Sequence, residues 1–169
     1  MIVYLMIVVV FGPLVAFLLI RNDRKKRAAW ERRYPSYHPS SLQGIWPTKI
    51  GNIRYHCNRD DIGVVVFAVK PDAGNVYHHS SMAIIRDDGK QLGYIGKREA
   101  AKFNRWCGGN PCSGMGMIQY DEKTNKLWAD IFVFSPRFDE QQLATEVQAY
   151  ISWVSATYGV AYIPERYRP

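Results

Sequence analysis

Residues 82–99 read MAIIRDDGKQLGYIGKRE. The apolar run Met82–Ile85, the Asp87-Asp88-Gly89-Lys90 turn cluster and the returning Leu92-Gly93-Tyr94-Ile95 spell a hairpin, because Asp-Gly between apolar runs is a strong turn signal. Directly after it, Lys97 to Trp106 (KREAAKFNRW) changes to helix formers, with Ala100, Ala101 and Phe103 toward a core. Upstream, Val64–Val69 is a near-continuous β-branched run, as expected of a strand buried on both faces. Ile50, Ile53 and Tyr55 form a shorter strand-like run that ends at the Asn58-Arg59-Asp60-Asp61 turn cluster, and Pro71 to Asn75 is a loop by composition. Downstream, Cys107–Gly116 is a Gly-rich loop, and Met117–Tyr120 and Leu127–Phe134 make a second hairpin. Asp139 caps a final helix through about Tyr158, in which Leu143, Val147, Tyr150 and Val154 recur on one face. Five or six short strands with one helix within their order and one after it predict a mainly-β α+β fold. A small barrel or strongly curved sheet with flanking helices suits this spacing better than βαβ units.

The N-terminus has a different character. Residues 1–20, MIVYLMIVVVFGPLVAFLLI, contain no charged side chain, and the next thirteen carry seven Lys/Arg against two Asp/Glu. Twenty helical residues rise about 30 Å, the thickness of a bilayer's hydrocarbon core. The collar Arg21, Arg24, Lys25, Lys26 and Arg27 would stay on the cytoplasmic side. A signal peptide would place its basic residues before the apolar run and end in small residues, whereas Leu18, Leu19 and Ile20 end this one. A buried core helix would seldom run twenty residues without a polar face. The expected organisation is an anchor at 1–20, a basic collar and Pro/Ser linker at 21–44, a barrel at 45–135 and a C-terminal helix and tail at 136–169. The expected location is the cell membrane, single-pass, with the following domain in the cytoplasm. Within the lead-in, residues 34–48 hold three prolines and read as irregular chain.

The formal net charge of +7 is mostly this collar, since residues 36–169 carry fifteen basic against thirteen acidic residues. The charge is therefore a topology signal, reinforced by acidic lipid headgroups, and not a nucleic-acid footprint spread over the domain. One local exception is residues 86–105, where Arg86, Lys90, Lys97, Arg98, Lys102 and Arg105 face only Asp87, Asp88 and Glu99. Three cysteines, Cys57, Cys107 and Cys112, are too few for a disulfide scaffold in a reducing compartment. The pair Cys107/Cys112 lacks the second ligand pair a zinc site needs. No Walker-type Gly-Lys-Ser/Thr and no carboxylate cluster for two metals is present, so neither an enzyme, a cofactor nor a metal is expected.

Ile53-Arg54-Tyr55-His56, the loop ending Asn75-Val76-Tyr77 and the segment Gly89–Glu99 resemble the HIRAN domain, over roughly residues 45 to 135. The resemblance implies an OB-like barrel that grips the 3′ end of single-stranded DNA. It also implies roles: Arg54 and Tyr55 match a first-strand Arg-Tyr pair, Tyr77 a loop tyrosine, and Lys97 a phosphate-contacting lysine at the helix start. Where the family has an Asp that meets the 3′-hydroxyl this chain has His78, where relatives often have Asn it has Ser80, and Tyr94 replaces a His. A neutral imidazole accepts a hydrogen bond through one nitrogen only, and a protonated one prefers phosphate. The chemistry is coherent in its own terms. Tyrosine stacking contributes about 1–3 kcal/mol per base for any sequence, and Arg54 and Lys97 would hold the backbone. Each residue has a plainer role beside this: Tyr55 is open to core packing as well as stacking, and Arg54 to pairing with Asp60 or Asp61. Lys97 and Arg98 at a helix start run against the helix dipole, which favours an anion there.

Three functions compete. The first is a membrane-tethered, non-enzymatic module for single-stranded nucleic acid or DNA ends, with any catalysis left to a partner enzyme or membrane protein. The second is a protein-interaction scaffold that keeps the barrel without the DNA chemistry. The third is a thiol enzyme using Cys107 or Cys112 with a histidine. The collar makes a direct prediction: a reporter fused after Pro169 is active in the cytoplasm, and activity only on the opposite side of the membrane overturns the orientation.

Overall fold

A computed structural model describes residues 37–39, 43–72, 74–75 and 81–168. The chain divides at His38/Pro39, and the second unit, Pro39–Pro169, holds every described strand and helix. The anchor expected at 1–20 and residues 21–36 and 40–42 of the expected collar and linker lie outside the described residues, as do Tyr77, His78 and Ser80. Among the described residues no helix is long and apolar enough to cross a membrane.

Six antiparallel strands close into a barrel in the order β1-β4-β3-β2-β5-β6. They are β1 (Ile45–Gly51), β2 (Gly63–Pro71), β3 (Met82–Arg86), β4 (Gln91–Ile95), β5 (Cys112–Asp121) and β6 (Lys126–Phe134). Helix α1 (Lys97–Cys107) follows β4, and α2 (Glu140–Tyr158) follows β6. The expected mainly-β α+β barrel is therefore the observed fold. The β3–β4 hairpin turns where Asp-Gly placed it. Gly89 takes φ 88, and the Arg86 amide donates to the Lys90 carbonyl at 2.8 Å. The barrel interior is filled by Val65, Phe67, Val69, Met82, Ile84, Leu92, Ile118, Ile131 and Val133. Phe103 of α1 is 0% exposed and belongs to the same core.

Several local expectations differ from the structure. Strand β1 begins at Ile45, inside the stretch expected to be irregular, because Trp46 to Lys49 pair with Val133 to Asp130 on β6. Arg54 and Tyr55 do not lie on a strand. After Gly51 the left-handed Asn52 (φ 61) reverses the chain into a single 3-10 turn, Ile53–Tyr55. The expected loop at Cys107–Gly116 is mostly regular structure: Cys107 ends α1 and Cys112 starts β5, leaving only Gly108–Pro111 between them. Ladder pairing to β2 from Cys112↔Val69 onward overrides the glycines' poor strand propensity. Ala101 faces solvent, while Ala100, Phe103 and Cys107 form the buried face of α1.

Helix α2 begins as expected, with the Asp139 carboxylate accepting from the Gln142 amide at 2.7 Å and the Gln142 side chain accepting in return from the Asp139 amide. Its stripe is buried only in the C-terminal half, at Tyr150, Ile151 and Val154. Leu143 and Val147 instead border a groove of about 320 Å³ with Val66, Gly114 and Phe134.

Closure depends on a short seam. β1 and β4 share two residue pairs, Ile50↔Ile95 and Gly51↔Tyr94. Gly93 sits there at φ 147, and a Cβ on it would lie 2.4 Å from the Gly51 carbonyl oxygen and 2.6 Å from the Ile50 Cγ2. Neither the backbone conformation nor the space admits a side chain. Gly93→Ala should lower the unfolding free energy by about 2 kcal/mol or more through overpacking and backbone strain. Gly89→Ala, with nothing within 4 Å of the added atom, should cost less. Urea midpoints for the two variants compare them directly, and equal losses would show that the seam is not the tighter site.

Candidate functional site

The sequence-assigned residues that are described gather around the β1/β4 seam. Gly51, the last residue of β1, pairs with Tyr94, and three residues later Arg54 and Tyr55 occupy the 3-10 turn, which packs against β4 and β6. The Tyr55 ring is 69% exposed, so it is not a core residue. The Arg54 guanidinium lies 4.6 Å from the ring centroid, and its Nη2 donates to the Tyr55 hydroxyl at 2.5 Å. Arg54 is thus used to set the ring and is not paired with Asp60 or Asp61.

Tyr94 connects this turn to the long loop. Its ring meets His56 edge-on at 5.7 Å, and its hydroxyl donates to Asp72 Oδ2 at 3.0 Å. Asp72 is the base of the loop that carries Tyr77 and His78. Its amide donates to the Ser81 carbonyl at 2.9 Å, and its Oδ1 accepts from the Gly74 amide at 3.2 Å. The two ends of the loop are therefore fixed beside Tyr94, although Tyr77 and His78 themselves fall outside the described residues. Lys97, three residues past Tyr94, is exposed at the first turn of α1 behind the Gly96 N-cap. His56 and Asp72 were missed as site residues. His56 stood in the motif beside Arg54-Tyr55, whereas nothing in the local sequence connects Asp72 to Tyr94.

The electrostatics revise the expected basic face. Arg86 and Lys90 do not belong to it, because both are spent on Asp61, whose residue exposure is 6%. Asp61 accepts from Arg86 Nη1 at 2.9 Å, from Lys90 Nζ at 2.6 Å and from the Asn58 amide at 2.9 Å. Burial pushes its carboxyl up, but Lys90, the Asn58 amide and Arg86 together hold it below the ordinary carboxylate value. Asp88 is likewise held low, chiefly by Arg86 and then by the Lys90 amide. The C-terminal tail joins this cluster. Arg166 approaches Asp87 at 3.5 Å and Asp88 at 3.6 Å, and the Tyr167 hydroxyl donates to Asp87 at 2.5 Å.

Burial makes Cys57 and Cys112 poor nucleophiles. Burial and then the neighbouring Cys107 push the Cys112 thiol up to about 12, and burial followed by Asp61 pushes Cys57 up to about 11. Both remain thiols at neutral pH, so of the two cysteines in the thiol-enzyme reading Cys112 is not activated. No group of three metal-ligating side chains occurs among the described residues.

No family model matches the chain, and no curated protein matches it. Among solved structures, the HIRAN domain of human HLTF is similar over 63% of this chain and 87% of its own, at 16% identity and a TM-score of 0.36. A protein from Lactobacillus plantarum is similar over 54% of this chain and 99% of its own, at 15% identity and a TM-score of 0.34.

The buried carboxylate generates a pH prediction. A group whose native pKa lies below its unfolded value contributes fully above the unfolded value, about 3.9. That contribution is lost as the pH falls through the native value. Asp61→Asn should therefore cost about 3 kcal/mol near neutral pH, and the gap to the parent should narrow as the pH falls from 5 toward 2. Urea unfolding at several pH values tests this, and a gap independent of pH would remove Asp61 from the acid response.

Proposed function

We propose that this protein is a non-enzymatic module that holds single-stranded nucleic acid, and in particular a DNA 3′ end, at the β1/β4 seam. The observation that carries the reading is Tyr55, a largely exposed ring set by Arg54 on a tight turn beside Tyr94 and the start of α1. An exposed tyrosine alone means little. One fixed by a guanidinium, on a turn whose His56 meets the Tyr94 ring and with exposed Lys97 three residues past Tyr94, has the parts of a stacking platform with a phosphate contact. In this reading Tyr55 stacks a terminal base and Lys97 holds a phosphate, with Tyr77, the loop tyrosine of the HIRAN resemblance, as a second stacking residue. The Asp72 carboxylate, which already accepts from Tyr94, offers a second acceptor for a sugar hydroxyl where His78 replaces the family's Asp. Residues 1–20 tether the module to a membrane, with the domain on the cytoplasmic side.

The test is fluorescence anisotropy of the full chain in non-ionic detergent, titrated at low salt with oligo-dT carrying a free or a blocked 3′ end. The expected result is tighter binding of the free end. Tyr55→Ala should weaken that binding by about 1–3 kcal/mol with an unchanged melting temperature. Equal binding of both ends would make the domain a general single-strand binder. No binding at low salt, where electrostatic affinity is greatest, would favour the protein-scaffold reading.

A further inference from the structure

Helix α1 carries its charge on one side. Ala100, Phe103 and Cys107 face the core, and the opposite face is Lys97, Arg98, Ala101, Lys102 and Arg105, all exposed. Among the described residues the other clustered cations are neutralised: Arg86 and Lys90 by Asp61, and Arg166 by Asp87 and Asp88. The four on α1 have no ion pair among the described residues. The helix's single acid, Glu99, lies toward β1, where it accepts from Thr48 Oγ1 at 2.5 Å.

This arrangement is unfavourable for the helix itself. Arg98 and Lys102 are like charges at i,i+4, and Lys102 and Arg105 at i,i+3, spacings at which repulsion destabilises. Lys97 and Arg98 also oppose the dipole at the N-terminus. Arg105 in the last turn suits the dipole and Lys102 lies over the Trp46 ring. Lys97 and Arg98 have no such compensation, and the uncompensated charge at this end of the helix suits a partner of opposite charge. An aromatic edge runs alongside. Lys102 Nζ is 5.7 Å from the Trp46 ring centroid, and Trp46 is 5.4 Å from Trp106, with both rings half-buried.

We infer that the exposed face of α1 is a backbone track on which a single-stranded nucleic acid continues after leaving the β1/β4 seam, with Arg98, Lys102 and Arg105 contacting successive phosphates. The inference rests on the proposed nucleic-acid role of the seam and deepens it. The helix begins beside the seam residues and leads away from them, and Arg98 to Arg105 spans about 10 Å of helix axis. The track is an electrostatic contact without base readout, so its contribution depends on oligonucleotide length and salt, not on sequence.

The experiment compares the full chain with the variant R98Q/K102Q/R105Q and with a control, K123Q/K126Q/R137Q, that removes three exposed cations elsewhere. Glutamine keeps the helix propensity. Each protein is titrated with dT4 and dT12 bearing free 3′ ends at several salt concentrations. The track predicts that the helix variant binds dT4 within twofold of the parent and loses at least tenfold on dT12. It also predicts that the salt slope for dT12 falls by about 2, as three single-strand phosphate contacts at about 0.7 each require. The control should change dT12 binding by less than threefold. Equal losses in helix variant and control, or a parent that binds dT12 no more tightly than dT4, would overturn the track while leaving the seam reading intact. A parent that binds neither oligonucleotide would overturn both.

Discussion

Two backbone pairings, Ile50 with Ile95 and Gly51 with Tyr94, turn a curved six-stranded sheet into a closed barrel. The seam is short because β1 leaves the sheet at Gly51 and β4 ends at Ile95, and it is tight because Gly93 lets the two backbones approach without a side chain between them. The surroundings depend on it. The Ile53–Tyr55 turn springs from one side of the seam and α1 from the other, while Tyr94 on the seam itself reaches the base of the long loop through Asp72. Closure removes two open sheet edges, and the same two pairings bring together side chains that are about forty residues apart in sequence.

Charge is segregated around this frame. Buried Asp61 draws Arg86 and Lys90 out of solution, and the tail residues Arg166 and Tyr167 complete a cluster at the β3–β4 turn. A buried carboxylate with several donors is costly to disturb but adds little as a net attraction. Its main consequence is that a hairpin rich in Arg, Lys and Asp becomes an internally balanced structural joint. The cations of α1 receive no such compensation, so a modest overall charge is divided into a neutralised cluster and a bare basic helix face.

Much of the fold was legible locally. The Asp-Gly turn, the β-branched run Val64–Val69, the switch to helix formers at Lys97 and the Asp139 cap each act over a few residues, where turn chemistry and periodicity suffice. The failures have a common cause. Trp46 to Lys49 became strand although Pro47 lies among them, and Cys112 to Gly116 became strand despite two glycines, because each segment found a partner ladder on β6 or β2. Arg54 and Tyr55 left the strand because Asn52 adopts a left-handed conformation that its sequence neighbours do not announce.

The candidate site divides the same way. By itself the sequence determined the residue types, Arg-Tyr, Tyr-Ile-Gly-Lys and the basic run on α1, together with the hairpin and helix that carry them, since these depend on nearest neighbours and short-range periodicity. It also determined the contrast between an uncharged first twenty residues and a basic collar. Only the tertiary structure decided which cations are available and which rings are exposed. Arg86 and Lys90 are consumed by Asp61, twenty-five and twenty-nine residues away, and Tyr94 is oriented by Asp72 across the barrel wall. Those outcomes depend on desolvation and on contacts between distant strands, and such contacts exist only once the barrel has closed.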